Sequence, residues 1–125
     1  MIRPLAPLTR CGDLTFHASG RIDITAHLSE LLHLCDGDIL SIAVSDDTVR
    51  EYYLYVAHRK GDTTGRHTCR CHSVKGAGRY MRMFSKSLSA YLLRSAHGAD
   101  KVTFIAGELK LIPGIGNAVT LVRKN

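Results

Sequence analysis

The strongest constraint on this chain is a pattern that occurs twice. The stretch "GRIDITAHLSELLHLCDGDILSIAV" (Gly20–Val44) and the stretch "GRYMRMFSKSLSAYLLRSAHGADKVTFIAG" (Gly78–Gly107) both read strand, helix, turn, strand. Both open on Gly-Arg, with Gly20-Arg21 matching Gly78-Arg79. Alternating apolar residues follow, Ile22/Ile24 against Met81/Met83. The helices align "HLSELL" with "SLSAYL", so that Leu28 matches Leu88 and Leu32 matches Leu92. Each helix runs into a Gly/Asp turn, Gly37-Asp38 or Gly98-Ala99-Asp100, and then a strand. The second copy carries one extra residue before its helix and one or two after it. Units this small cannot bury a core alone, so two of them must pack together about a pseudo-twofold axis. The expected fold is α+β, mainly β: a small pseudo-symmetric barrel of about seven or eight strands with two short helices. The units span residues 14–45 and 78–106, and the helices about 26–35 and 85–96.

Local patterns fill in the rest. "DLTFHA" (Asp13–Ala18) alternates with period two, as a half-buried strand does, and Ser19-Gly20 turns it. In the first helix Leu28, Leu31, Leu32 and Cys35 form an apolar stripe, with His27, Ser29, Glu30 and His33 pointing away. Thr25 is placed to cap that helix and Asp36-Gly37 to stop it. "REYYLYVAHR" (Arg50–Arg59) reads as a long strand, with Tyr53 and Tyr55 on one face and Tyr52, Leu54 and Val56 on the other. "SDDT" and "KGDTTG" are loops. "RHTCRCHSV" (Arg66–Val74) alternates as a strand with His67, Cys69, Cys71 and Ser73 on one face, and "KGAG" turns it. In the second helix Leu88, Tyr91 and Leu92 share a stripe, and "IPGIGN" turns into a last strand.

At 125 residues the chain is expected to form one domain, 1–125, preceded by an extended arm over residues 1–10 that lacks the apolar core of an export signal. No apolar run approaches the roughly 20 residues that cross a bilayer, so no membrane is expected as a partner. Four scattered cysteines do not make a disulfide framework and point to a reduced, cytoplasmic setting. The net charge of +6 is unevenly spread. Residues 11–56 set Arg21 and Arg50 against eight carboxylates, whereas residues 57–101 set ten Lys or Arg against Asp62 and Asp100. A basic block of this kind meets polyanions, or else the acidic half of the same chain or of a second copy.

Candidate chemistry is sparse. In "HTCRCH" the residues His67, Cys69, Cys71 and His72 are potential metal ligands, but no second ligand pair accompanies them, and buried strand cysteines are the simpler reading. No histidine sits in a catalytic motif, and "DGD" (Asp36–Asp38) reads as a helix stop. "PGIGN" (Pro113–Asn117) lacks the glycines and following helix of a phosphate loop and reads as a hairpin turn. Neither a metal, another cofactor nor a catalytic residue is expected. One tyrosine set of the long strand faces the core, and the other is open to stacking with Arg50, Arg59 and Arg70 nearby.

Gly20-Arg21-Ile22-x-Ile24, the short Leu28/Leu31/Leu32 helix and Gly37-Asp38 before an apolar strand together resemble the AbrB/MazE-type swapped-hairpin domain. More broadly they look like the strand-helix-strand "GD box" unit of cradle-loop and double-psi barrels. The resemblance covers residues 14–45 and, more faintly, 78–106. It implies a dimeric, DNA-binding regulator, a role that carries over to Arg21 alone. Ile24-Thr25 stands where such proteins have Ile-Pro, and Asp13, Asp23 and Glu30 make this copy acidic. The second copy is the better phosphate contact. The expected function is therefore a non-enzymatic nucleic-acid-binding or transcription-regulator-like protein. Its contacts would be Arg79, Arg82 and Lys86, with Arg70, Lys75 and Arg21. The alternative is a protein-interaction module that self-associates as a homo-oligomer through its acidic and basic halves.

Overall fold

The computed structural model describes residues 12–45, 51–58, 68–94 and 99–124. The expected arm, most of the "SDDT" loop, the "KGDTTG" loop, the first half of the "HGAD" turn, and Arg50, Arg59 and His67 lie outside them. Among the described residues the chain forms β1 (Leu14–His17), β2 (Arg21–Ile24), α1 (Ala26–Leu31), β3 (Ile39–Ser45), β4 (Glu51–His58), β5 (Thr68–Arg70) and β6 (His72–Ser73). It continues with β7 (Met81–Phe84), α2 (Lys86–Leu93), β8 (Lys101–Ile112) and β9 (Gly116–Arg123).

All strand pairs are antiparallel, in the order β5-β3-β4-β9-β8-β1-β2-β7-β6. The two ends of that order are neighbours in the chain, separated only by Cys71. The sheet thus rolls into a nearly closed barrel with nine strands, mainly β as expected. The segment read as one strand over residues 66–74 changes partner at Cys71, which raises the strand count. Before it, Cys69 pairs with Leu40 of β3; after it, His72 pairs with Arg82 of β7. Cys71 itself bridges to the α1–β3 turn: its amide donates to the Asp38 carbonyl at 2.9 Å, and its carbonyl accepts from Gly37 at 2.8 Å. Closure of this kind leaves few unpaired strand edges.

Read around the barrel from β4, the order is β4, β3, β5/β6, β7, β2, β1, β8, β9. It is unchanged when β1-β2-α1-β3-β4 is exchanged for β5/β6-β7-α2-β8-β9. The repeat therefore reaches beyond the residues that reveal it, because β4 and β9 also correspond. Pairs of strands from the two halves alternate around the barrel: β2 meets β7, β1 meets β8, β3 meets β5 and β4 meets β9.

Burial follows the alternation. Ile22 and Ile24 point inward on β2, and Met81 and Met83 do so on β7. Phe16 and Phe104 meet edge-on with centroids 5.9 Å apart, and Tyr52 packs edge-on against Phe104 at 6.0 Å. Tyr52 and Leu54 thus belong to the core side of β4. Tyr53 instead donates its hydroxyl hydrogen to Glu51 and lies beneath the Lys110 ammonium.

Both helices are capped by hydroxyls at matching positions. Thr25 Oγ1 accepts from the Leu28 amide at 3.4 Å, and Ser85 Oγ from the Leu88 amide at 3.2 Å. Leu28 and Leu88 are buried, as are Leu32 and Leu92. Ser29 and Ser89 also face inward and are buried, so Ser29 does not point to solvent as the stripe predicts. The first helix is shorter than expected. It leaves helical geometry after Leu31, with His33 at φ 51°, and Leu34 turns into the core at 1% exposure while Cys35 remains exposed. Burial of Leu34 outweighs continued helical periodicity, and Asp38 then fastens the connection by accepting from the Cys35 amide at 2.8 Å.

Candidate nucleic-acid interface

The inward turn of Met81 and Met83 forces their neighbours Arg82 and Phe84 onto the outer face of β7. Phe84 is 61% exposed, an unusual position for a phenyl ring on a regular strand. Beside it, His72 and Ser73 of β6 and the following residues Val74 and Lys75 complete a shallow groove of ≈ 410 Å³ with Arg82 and Phe84. Lys86, at the start of α2, adjoins the ring across Gly20. A Cβ at Gly20 would stand 2.9 Å from the Lys86 Cγ and 3.0 Å from the Phe84 Cε1, and Gly20 has φ 101°. Both space and backbone geometry therefore demand glycine there.

Arg82 lies between two register partners, His72 on β6 and Asp23 on β2. Its Nε donates to Asp23 Oδ1 at 2.9 Å. Asp23 Oδ2 in turn receives Arg21 Nε at 3.2 Å and His17 Nε2 at 2.9 Å. Partial burial alone would raise the Asp23 pKa. Hydrogen bonds from Arg82 and His17, with the charges of Arg21 and Arg82, overcome it and hold the carboxyl below its ordinary range. The same contact raises the Arg82 pKa, so the guanidinium stays charged. On the other flank Asp36 accepts from the Ser73 amide at 2.7 Å and stands 3.9 Å from His72 Nδ1.

The six cations expected to contact phosphate are thus sorted by the fold. Lys75 and Arg82 line the groove, and Lys86 adjoins Phe84. Arg21 sits on the neighbouring strand, paired with Asp23. Arg70 and Arg79 are drawn toward the α1–β3 connection, donating at 3.1 Å to the carbonyls of Gly37 and Leu34 respectively. The fold does not gather these two with the others. Phe84 and His72 are additions that the charge reading passed over. The alternation of "RYMRMF" was the signal for Phe84, since two buried methionines leave the ring no inward place.

Of the candidate ligands, His67 lies outside the described residues, and the others are not brought together. Cys69 and Cys71 are buried, and Cys69 Sγ donates to the Phe84 carbonyl at 3.1 Å, while His72 is exposed on the outer face. Burial, then the nearby Asp38 charge, pushes the Cys71 thiol up to about 11, so it remains protonated near neutrality. Among the described residues no group of three or more His, Cys, Asp or Glu side chains is arranged to hold a metal ion, and no helix is long and apolar enough to cross a membrane. "PGIGN" forms the β8–β9 turn, with Gly114 and Gly116 at positive φ. No protein-family model, curated protein or solved structure matches the chain.

Proposed function

We propose that this chain is a non-enzymatic nucleic-acid-binding protein, of the kind that regulates transcription, and that the outer face of β6 and β7 is its contact surface. The observation that carries this reading is the groove in which Lys75, Arg82 and His72 surround the exposed Phe84 ring. Cations beside an exposed aromatic side chain match the two attractions nucleic acid offers, phosphate charge and base faces. The alternating strand pairs of the two halves support a related reading, in which the chain is a fused pair of AbrB/MazE-type swapped-hairpin units. Free thiols at Cys35, Cys69 and Cys71 support a cytoplasmic setting.

Fluorescence anisotropy with labelled oligonucleotides at low and at physiological salt tests the proposal. Binding is expected to weaken steeply with salt, and Lys75→Glu with Lys86→Glu is expected to cost about tenfold or more in affinity. Absence of salt-dependent binding at low ionic strength would sink it. A second reading, self-association, is favoured by two apolar side chains on one face of the β8–β9 hairpin. There Leu111 is 78% and Leu109 47% exposed. Light scattering distinguishes the two: a concentration-dependent dimer that Leu111→Lys dissolves supports self-association.

A further inference from the structure

We infer that the ligand of this groove is single-stranded nucleic acid, one base stacking on Phe84 while flanking phosphates meet Lys75, Arg82 and Lys86. The inference rests on the nucleic-acid reading above and goes further by choosing between strand and duplex.

Three features carry the choice. The first is the ring itself. A phenyl group has no hydrogen-bonding capacity, so against the sugar-phosphate flank of a duplex it gains little. Its productive contact is with the face of a base, and a base offers its face only when it leaves the duplex stack. Phe84 leaves 61% of its surface to solvent, and it abuts the Gly20 backbone, so the platform is held in place. The second feature is size. A volume of ≈ 410 Å³ falls in the range of sites that take small-molecule-sized groups, here a nucleotide.

The third feature is the flank of the positive strip. Lys75, Arg82 and Lys86 follow the line of β7. On the β2 side Asp23 is shared by Arg82 and Arg21, so that flank is not acidic. On the β6 side stands Asp36, whose side chain is 63% exposed. A row of cations with acid along one side suits a single phosphate backbone. A duplex brings a second backbone across a groove about 12 Å wide, and on the β6 side that backbone meets acid.

The test compares a fluorescein-labelled oligothymidylate with the same strand annealed to its complement, using the full chain at low salt. The wild-type protein is expected to bind the single strand about tenfold more tightly than the duplex. Phe84→Leu is expected to lose about tenfold for the single strand and little for the duplex, whereas Phe84→Tyr, which keeps the ring, retains binding. Urea midpoints of the variants control for folding; Phe84 is exposed, so both are expected to match wild type. Equal affinity for strand and duplex, or an unchanged Phe84→Leu variant with salt-dependent binding intact, overturns the single-strand inference and leaves the proposed function standing. Failure of both ligands to bind at low salt overturns the proposed function itself.

Discussion

At equivalent places in the two halves stand residues of opposite charge, Asp23 on β2 and Arg82 on β7. They are also each other's register partners, because β2 and β7 are the strands that meet across the pseudo-twofold axis. In a dimer of identical units that position would juxtapose two copies of one residue, and like charges directly opposite repel. Joining the halves in one chain lets the pair differ, and Arg82 Nε to Asp23 Oδ1 at 2.9 Å is the result. The interior shows the contrary trend. Leu28 and Leu88, Ser29 and Ser89, Leu32 and Leu92 keep the same residue types at the same depth. The buried helix positions are alike in the two halves, whereas the surface differs, one half acidic and the other basic.

The sharpest way to break this comparison is in the core. Leu28→Ala and Leu88→Ala, at 0% and 2% exposure, are each expected to cost about 2–5 kcal/mol, and to cost nearly the same. Urea denaturation measures both, and a difference beyond about 2 kcal/mol would mean that the halves pack unequally. The caps come next. Ser85→Ala is expected to cost about 1 kcal/mol. Thr25→Ala should cost more, about 2 kcal/mol, because Thr25 Oγ1 also donates to the buried Asp13 carboxyl at 3.0 Å, whereas the second contact of Ser85 Oγ is the exposed Ser87 hydroxyl at 3.2 Å. Thermal melts showing equal losses would show that the Asp13 link adds nothing.

The smallest effect concerns the axis itself. Since the folded Asp23 carboxyl titrates below its unfolded value, its stabilisation is fully present above the ordinary carboxylate range. It is lost as pH falls through the lowered value. Asp23→Asn is therefore expected to be less stable than wild type at neutral pH by about 1 kcal/mol, a figure reduced for solvent screening, with the gap closing under acid. A gap that persists unchanged at low pH would show that shape, not charge, holds the pair.

The twofold plan was legible because it is written in buried residues, which alternate and recur. Its extension to β4 and β9 was not, since "EYYLYVAH" and "GNAVTLVR" share a place in the barrel but hardly a residue. The end of α1 was misplaced for a local reason. An Asp-Gly stop was present at Asp36-Gly37, yet Leu34 reached the core earlier through a left-handed His33. The cations of the site were visible as charge, but their partners were not. Arg70 finds Gly37 across 33 residues and Arg79 finds Leu34 across 45, separations that no local pattern encodes. Phe84 needed only the alternation of its own strand, read outward instead of inward.

The interleaving of strands also dictates when this protein can take shape. β1 leaves synthesis first, yet one of its two neighbours is β8: Thr15 and Thr103 hydroxyls meet at 3.2 Å across 88 residues. Neither half has a complete wall until the other exists, so the growing chain cannot settle one half and then the next. The hairpins β1-β2, β3-β4 and β8-β9 are local, but the pairings that join the halves, β1-β8, β2-β7, β3-β5 and β4-β9, close long loops, which is slow. Until then, the strand edges that the finished barrel hides are open to other chains.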